Sequence, residues 1–213
     1  MWTLRIKLLS DTTFGRGDGV AGLVDEEVEH DPDTGLPTIH GRTLKGLLVE
    51  ECTNILYSLY IASHPEYKRY DDAAGFLFGY PGSTLDTDAK MRIGTATLSP
   101  ELCQAVAQAV RIQKSISSLD ILEAWTLIRR QTAADTLGAP IENTLRAIRA
   151  VRRHTEFYAP IDFTYEPNMY ALVLLNACIH SFRRGGVLRN RGMGRLECKL
   201  WKDGKVFQSE RLF

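Results

Sequence analysis

The sequence is poor in cysteine, and no two of its four cysteines lie close together along the chain. Zinc sites and disulfide frameworks both depend on cysteines at short, regular spacings. Cys52 and Cys178 fall in apolar helical patterns, and Cys198 falls on an alternating strand, which is typical of buried free thiols. The pattern therefore argues against a disulfide scaffold and against a cysteine-based zinc centre.

The sequence also lacks a signal peptide and any apolar run long enough to span a bilayer. We therefore expect a cytoplasmic protein in a reducing compartment, with no membrane partner. No internal repeat or low-complexity linker divides the chain. Its length is compatible with one large domain, and we predict a single domain over residues 1–213.

Net charge is absent as well, because 26 basic residues balance 26 acidic residues. A free-standing nucleic-acid-binding protein is usually basic overall, so neutrality argues against one. The charges are nevertheless segregated, since residues 25–33 are acidic while residues 146–154 and 183–195 are basic. One acidic and one basic face predict a place inside an assembly in which only one face meets RNA.

The most distinctive segment, RRGGVLRNRGMGRL at residues 183–196, contains five arginines and four glycines. Glycines let backbone amides approach a ligand closely, and arginines between them match phosphate oxygens. An apolar helical pattern at about 168–182 leads into this segment and an alternating strand leaves it. We predict a clamp for a phosphate backbone, the alternative being a connecting loop with a helix cap at Gly185 and Gly186.

The hydrophobic periodicities predict an α+β fold with a ferredoxin-like (RRM-like) split βαβ core. Predicted strands cover residues 2–9, 91–98 and 155–165 and the segment RLECKLW, and a hairpin turn lies at Asp203-Gly204. Predicted helices begin at Thr43, at Ser99-Pro100 and at about residue 168. Sheets of this kind are common RNA-binding platforms, but the fold has many other uses.

Two long insertions, at about 61–90 and 113–154, interrupt this core and are expected to form a helical lid and a thumb. We predict an irregular segment over 61–90, with a glycine-bearing apolar stretch, GFLFGYPG. A helical pattern from Leu119 to Gln131 follows, and then an extended arm over 133–154. The arm carries Arg146, Arg149, Arg152 and Arg153.

The start of the first helix predicts an anion site. Lys45 lies one turn into the helix, near backbone amides and the positive end of the helix dipole, and Arg42 reinforces it. The alternative is a solvated lysine. Gly46 costs a helix about 1 kcal/mol relative to alanine. Close approach of RNA or of another element would explain that glycine.

Candidate catalytic residues are fewer. Asp25 begins an acidic run, and such runs are usually solvated loops. A carboxylate near a scissile phosphate can instead hold magnesium or position the attacking 2′-hydroxyl. Histidines are candidates for metal-free RNA cleavage, but none has a partner fixed by spacing, so His40 is only a second candidate.

Three segments together resemble the repeat-associated RAMP superfamily of CRISPR systems, particularly the RNA-binding backbone subunits of type III effector complexes. They are LVDEEVEHDPDTGLPTIHGRTLKGLL at 23–48, FLFG followed by MRIGTATLS, and GGVLRNRGMGRL at 185–196. The family has a D-x-x-T-x-x-P-x-I-P-G-S-S-L-K-G pattern after the first strand and a G-G-x-x-x-R-G-x-G-R loop after the last helix. The segment APIENTLRAIRAVRRHTEFYAPIDF is similar to the family's thumb and the strand after it.

The resemblance implies a guide-RNA-binding subunit of a type III ribonucleoprotein in antiviral defence, with guide RNA, target RNA and other subunits as partners. It implies Asp25 as the residue that cuts target RNA with Mg²⁺ or Mn²⁺, and so a metal-dependent endoribonuclease if the subunit cuts at all. Together with the charge pattern, it gives these RNA-binding candidates: Arg42, Thr43, Lys45, Gly46, Arg146, Arg149, Arg152, Arg153, Gly185, Gly186, Arg189, Arg191, Gly192, Gly194 and Arg195.

The chain departs from the family pattern at two positions, with His40 in place of a proline and Arg42 in place of the first serine. Alternatives remain open at this stage. One is an architectural guide-binding subunit that does not cut, and another is a metal-free, histidine-dependent endoribonuclease that processes precursor guide RNA. A third is a ferredoxin-like protein that binds a small ligand, which leaves the arginine-rich segment unexplained.

Overall fold

The structure is a computed structural model that describes residues 1–80, 82, 88–112, 116–132 and 145–208. Its elements in chain order are β1 (Trp2–Leu8), α1 (Gly41–Ile61), α2 (Tyr67–Phe78), β2 (Met91–Ile93), α3 (Pro100–Ile112), α4 (Ser118–Trp125), β3 (Thr126–Gln131), β4 (Arg146–Val151), β5 (Glu156–Phe163), α5 (Met169–Ser181), β6 (Leu196–Lys202) and β7 (Lys205–Val206). The described strands form one five-stranded sheet and one separate two-stranded ribbon.

The five-stranded sheet has the order β2-β5-β1-β6-β7, and all its neighbouring strands are antiparallel. β1 lies in the middle, where Leu4, Ile6 and Leu8 are fully buried on one face. The order of strands and helices is that of two interleaved βαβ units, which confirms the predicted ferredoxin-like core. The hairpin turn also confirms its prediction, because Asp203 and Gly204 both have positive φ, as a type I′ turn requires.

Helices α1, α2 and α5 pack against one another on one side of this sheet. α5 is apolar on almost all sides, which is typical of a helix enclosed by other elements. Asn168 caps α5 by accepting a hydrogen bond of 2.9 Å from the Ala171 amide. Cys52, Cys178 and Cys198 are buried and free, as predicted. Among the described residues, no helix has the length and apolar character needed to cross a membrane.

The prediction of an irregular segment over 61–90 is wrong in part, because this region contains α2. Tyr70, Ala73 and Leu77 are buried at helical spacing and face the core. The glycines of GFLFGYPG conceal this periodicity in the sequence, and Gly79, with φ of 77°, ends the helix. Residues 81 and 83–87 lie outside the described part of the chain.

The prediction of one helix from Leu119 to Gln131 is also wrong in part. α4 begins with a capping box between Ser117 and Asp120 but ends at Trp125, and β3 follows without a gap. β3 pairs with β4 in an antiparallel ribbon, so contacts with a distant segment override the helical pattern. We call β3 and β4 the ribbon. β4 lies within the predicted arm over 133–154, and residues 133–144 of that arm lie outside the described residues.

A buried ion pair attaches the ribbon to the loop that precedes α1. The Arg149 Nε atom lies 2.8 Å from Glu27 Oε1, and the two side chains are only 3% and 2% exposed. Arg149 also donates a 3.2 Å hydrogen bond to the hydroxyl of Thr126, and its carbonyl accepts one of 2.8 Å from the hydroxyl of Thr13. The pair thereby joins β4 to two chain segments more than a hundred residues away.

We predict that Glu27→Gln lowers the free energy of unfolding by about 3–5 kcal/mol, because the Arg149 guanidinium then stays buried without a counter-charge. Urea unfolding followed by circular dichroism measures the change. Glu123→Gln, at an exposed position on α4, should leave stability nearly unchanged.

Replacing both partners, as Glu27→Leu with Arg149→Met, removes both buried charges together. This double variant should recover a large part of the stability that the single variant loses. Equal stability of the Glu27→Gln variant and the unchanged protein would show that the ion pair does not hold the ribbon in place.

Candidate functional site

The loop before α1 follows the outer edge of the ribbon. The Asp25 amide donates a 2.7 Å hydrogen bond to the Ala147 carbonyl, and the Arg149 amide donates one of 3.0 Å to the Glu26 carbonyl. In addition, the Ala147 amide donates a 2.7 Å hydrogen bond to Asp25 Oδ2. The exposed carboxylate of Asp25 is therefore fixed against the backbone of β4, although it lies in an acidic loop.

The glycine loop, residues 183–195, is attached to the segment that follows β1. The Val187 amide donates to the Thr13 carbonyl over 2.8 Å, and the Gly194 amide donates to the Asp11 carbonyl over 3.2 Å. The Gly185 amide closes the base of the loop by donating to the Gly194 carbonyl over 2.9 Å. These contacts bring the glycine loop to the same side of the molecule as the ribbon.

The glycines of this loop have different roles. Gly194 has φ of +73°, and a Cβ there would lie 2.1 Å from the Gly185 carbonyl oxygen, so this glycine is required by the chain's own packing. The same holds for Gly186, where a Cβ would lie 2.4 Å from the Thr13 oxygen. Gly185 is buried among Phe and Leu side chains. Gly192 has φ of +81° in open space and remains available for a ligand.

A cleft of about 730 Å³ opens between the ribbon, the loop before α1 and the glycine loop. Asp25, Arg146 and Arg191 all line it, so one candidate from each of these three segments meets the others there. Arg146 and Arg191 are exposed, and neither has an ion-pair partner within the described part of the chain. The cleft therefore offers two free guanidinium groups beside a fixed carboxylate.

Two predicted RNA ligands are instead engaged within the chain. Arg149 is buried against Glu27, as described above. Arg189 binds Glu50 of α1 with two hydrogen bonds of 3.0 and 2.9 Å. The Arg189 hydrogen bonds also lower the pKa of the Glu50 carboxyl. Arg189 thus fixes the glycine loop to α1, and Arg149 fixes the ribbon to the core.

The start of α1 has an exposed side that continues towards the glycine loop. Arg42, Gly46 and Glu50 follow one another at four-residue spacing, which places them on one face of the helix. A Cβ at Gly46 would have no described atom within 4 Å, so packing within the described chain does not explain this glycine. Thr43 is exposed and Lys45 is half-buried, and Arg42 and Lys45 have no ion-pair partner among the residues that the structure describes.

Three further predicted ligands lie outside the cleft lining. The Arg152 side chain donates a 3.2 Å hydrogen bond to the Ala124 carbonyl. The Arg153 amide donates one of 2.9 Å to Asp11 Oδ1. The Arg195 amide donates one of 2.9 Å to the Ser10 hydroxyl. All three arginine side chains are exposed, so the basic surface extends beyond the cleft.

His40, the second catalytic candidate, occupies the N-cap position of α1 without a side-chain capping bond. Its Nε2 atom lies 3.1 Å from Glu29 Oε1. His40 does not line the cleft that contains Asp25. The structure therefore separates the two catalytic candidates.

The carboxylate of Asp25 has the chemistry of a magnesium ligand but cannot form a complete site alone. Magnesium usually takes one or two protein carboxylates together with phosphate oxygens and water. No cluster of three or more potential ligands from His, Cys, Asp and Glu occurs among the described residues. The residues present fit a metal that is held jointly by Asp25 and an RNA phosphate.

Sequence reasoning missed Asp11, which connects the ribbon to the glycine loop. Arg129 donates a 2.6 Å hydrogen bond to Asp11 Oδ2. Burial disfavours the charged carboxylate, but hydrogen bonds from Arg129 and from the Arg153 amide outweigh burial and lower its pKa. The sequence shows only an aspartate three residues after a buried strand, which does not identify a partner more than a hundred residues away.

No protein-family model matches the chain, and no curated protein matches it. Solved structures do match. A chain of the type III-B Cmr-beta complex in its apo state, determined by cryo-EM, has a TM-score of 0.62 and 14% identity, over 95% of this chain and 97% of that chain. A chain of type III-B Cmr-beta bound to cognate target RNA has a TM-score of 0.62 and 12% identity, over 93% and 96% of the two chains.

At these identities the likeness demonstrates a shared fold, and it extends over nearly the whole length of both chains. The resemblance to type III subunits that the sequence motifs indicate is therefore confirmed at the level of the fold. The α+β, ferredoxin-like class is confirmed with it.

Proposed function

We propose that this chain is a guide-RNA-binding subunit of a type III CRISPR effector, and that the cleft beside Asp25 binds the phosphate backbone of RNA, the target strand included. One observation carries the proposal, namely that Asp25, Arg146 and Arg191 come from distant segments and line one cleft. Guanidinium groups match phosphate oxygens in a bidentate geometry. The fold shared with type III-B Cmr-beta chains supports the same setting.

Backbone binding suits a complex in which base pairing supplies sequence specificity. The described cleft offers guanidinium groups and a carboxylate but no stacked aromatic side chains, which would be expected if unpaired bases were bound there. The exposed start of α1 extends the surface. Arg42 and Lys45 lie there near the amides at the helix start, and Gly46 leaves the helix backbone open between them and Glu50.

The first prediction concerns the two free arginines of the cleft. Replacing both Arg146 and Arg191 with alanine should weaken RNA binding about equally for all sequences. The salt slope of log affinity should fall by about 1.4, because each lost single-strand phosphate contact contributes roughly 0.7. Fluorescence anisotropy with labelled RNA at several salt concentrations measures both effects.

Arg92→Ala combined with Arg111→Ala removes the same charge from exposed positions on β2 and α3, and this control should retain the slope. The cleft would not be the RNA-binding surface if the Arg146→Ala, Arg191→Ala variant kept the salt slope of the unchanged protein. The same conclusion would follow if the control variant lost as much RNA affinity as the cleft variant.

The second prediction uses Gly46 to separate stability from binding. Gly46→Ala should raise the free energy of unfolding by about 0.5–1 kcal/mol, because alanine is favoured in a helix and has open space there. The same change should weaken RNA binding several-fold, and Gly46→Leu should weaken it more, if RNA passes close to this turn. Thermal unfolding and RNA titration of each variant provide the two measurements.

Thr53→Ala is the matched control, because Thr53 lies two turns further along the exposed side of α1. This variant should retain full RNA affinity. Normal RNA binding by the Gly46→Leu variant would remove α1 from the RNA surface.

We also propose that Asp25 participates in cutting target RNA with Mg²⁺ or Mn²⁺. A bound divalent ion would neutralise charge on the scissile phosphate and activate the attacking hydroxyl. The Ala147 amide fixes the Asp25 carboxylate, and Oδ1 has no hydrogen-bond partner among the described residues. This arrangement favours Asp25 over His40, whose ring faces Glu29 outside the cleft.

The third prediction is that Asp25→Asn lowers target cleavage by the assembled complex by at least about two orders of magnitude. Guide and target binding should stay within a few-fold, because an asparagine oxygen can still accept the Ala147 hydrogen bond. Glu26→Gln is the matched control and should cut normally. Single-turnover cleavage with magnesium, with manganese and with a chelator gives the rates.

Two outcomes would contradict this assignment. If the Asp25→Asn complex cuts at the unchanged rate, Asp25 is not the cutting residue. If the unchanged complex does not cut at this subunit's position but retains its RNA, the chain is an architectural guide-binding subunit.

A further inference from the structure

A second hollow lies on the other side of Asp25. Its volume is about 300 Å³, and it is lined by residues 20–25 together with Leu145, Ala147 and Arg130. Asp25 and Leu145 line both this hollow and the larger cleft. The carboxylate of Asp25 therefore lies on a ridge between two depressions.

The ribbon presents a different arginine to each depression. Arg146 pairs with Gln131, and Ala147 pairs with Arg130, in the register of β3 and β4. Neighbouring residues of a strand point to opposite faces, and directly paired residues share a face. Arg146 and Arg130 thus lie on opposite faces of the ribbon, and Arg146 lines the larger cleft while Arg130 lines the smaller one.

Arg130 is closely linked to the position of Asp25. Its cross-strand partner Ala147 is the residue whose amide donates a 2.7 Å hydrogen bond to the Asp25 carboxylate. Alanine has a small side chain, so it leaves the hollow open between Arg130 and Asp25. Both groups line that hollow, but they are not within ion-pair distance of each other.

The charge of Arg130 is not compensated within the described chain. Its neighbour Arg129 binds Asp11. Arg149, which lies on the same face of the ribbon as Arg130, binds Glu27. Arg130 is exposed and has no ion-pair partner among the residues that the structure describes. It is therefore free to bind an anion that enters the smaller hollow.

We infer that Arg130 is a positioning residue that holds an RNA phosphate on the side of Asp25 opposite to Arg146 and Arg191. The inference rests on the proposed function, since it takes RNA as the ligand and Asp25 as the residue next to the scissile phosphate. A strand that crosses the ridge is then bound on both sides of Asp25. Such two-sided binding fixes the reacting phosphate in a near-attack geometry, which a single contact cannot do.

The test uses target RNA with one neutral methylphosphonate linkage, moved along the strand one position at a time. The complex is purified from its native host with the chain unchanged, with Arg130→Gln, with Arg130→Lys or with Arg92→Gln. The target is shortened until its dissociation constant is measurable. Affinity is the main readout, so the test does not require that the complex cuts.

One linkage near Asp25 should weaken binding to the unchanged complex roughly tenfold, the size expected for a hydrogen bond to a charged group. The Arg130→Gln complex should bind unmodified target weaker by the same factor and should be insensitive to that linkage. Linkages on the Arg146 side should keep their full effect. Arg130→Lys should restore part of the affinity, and Arg92→Gln should behave as the unchanged complex.

The inference is overturned if each methylphosphonate linkage weakens binding to the Arg130→Gln complex as much as it weakens binding to the unchanged complex. In that case the loss of affinity from the substitution and the loss from the linkage are additive and therefore independent. Thermal unfolding checks that the Arg130→Gln variant is folded. If that variant is not folded, the linkage effects are compared between the Arg130→Lys complex and the unchanged complex. Failure of the proposed function gives a different result, since the unchanged protein would then neither retain RNA during purification nor bind it afterwards.

Discussion

The buried pair of Glu27 and Arg149 is the interaction on which the candidate site depends. Both side chains are almost completely removed from solvent, and a buried charge is costly unless a counter-charge and hydrogen bonds accompany it. The loop before α1 cannot leave the ribbon without exposing the core or leaving a charge unpaired. Asp25 lies two residues before Glu27, and Arg146 lies three residues before Arg149. Fixing the pair therefore fixes both of these groups at the cleft.

Asp11 fixes the position of the glycine loop, as Glu27 fixes the position of the ribbon. Its side chain binds Arg129 and the Arg153 amide, and its carbonyl accepts the hydrogen bond of the Gly194 amide. Six arginines of the ribbon and the glycine loop fall into two groups. Arg129, Arg149 and Arg189 each have a carboxylate partner and hold the structure together. Arg130, Arg146 and Arg191 have none among the described residues, and these three line the two depressions beside Asp25.

Local patterns predict the core of this fold well. The alternation of Trp2, Leu4, Ile6 and Leu8 identifies a central strand, and Asp203-Gly204 identifies a type I′ hairpin, because both depend on neighbouring residues only. The break between α4 and β3 could not be predicted in this way. The residues after Trp125 carry a helical pattern, and pairing with β4, some twenty residues further on, converts them to a strand.

The same limit applies to the site. Sequence identifies the glycine loop and the basic arm as candidate RNA-binding segments, but it cannot separate Arg146 from Arg149. Their difference is set by Glu27, which is 122 residues from Arg149 and lies in an acidic run that resembles a solvated loop. Likewise, Gly192 and Gly194 are only two residues apart. The Gly185 carbonyl leaves no room for a side chain at Gly194, whereas Gly192 lies in open space.

The neutral net charge of the chain has a consequence for how RNA would be bound. The cleft contains Asp25 and Glu26 beside Arg146 and Arg191, so its field is mixed rather than strongly positive. Long-range attraction of a phosphate backbone needs a surface of one sign, and nearby carboxylates reduce it. Charge alone would then hold RNA only weakly in this cleft. On the proposed function, affinity would come from contacts that add along the strand, namely base pairing between guide and target and contacts with neighbouring subunits. In such an arrangement the carboxylates would cost affinity at this subunit, and Asp25 would lie beside the phosphate on which it is proposed to act.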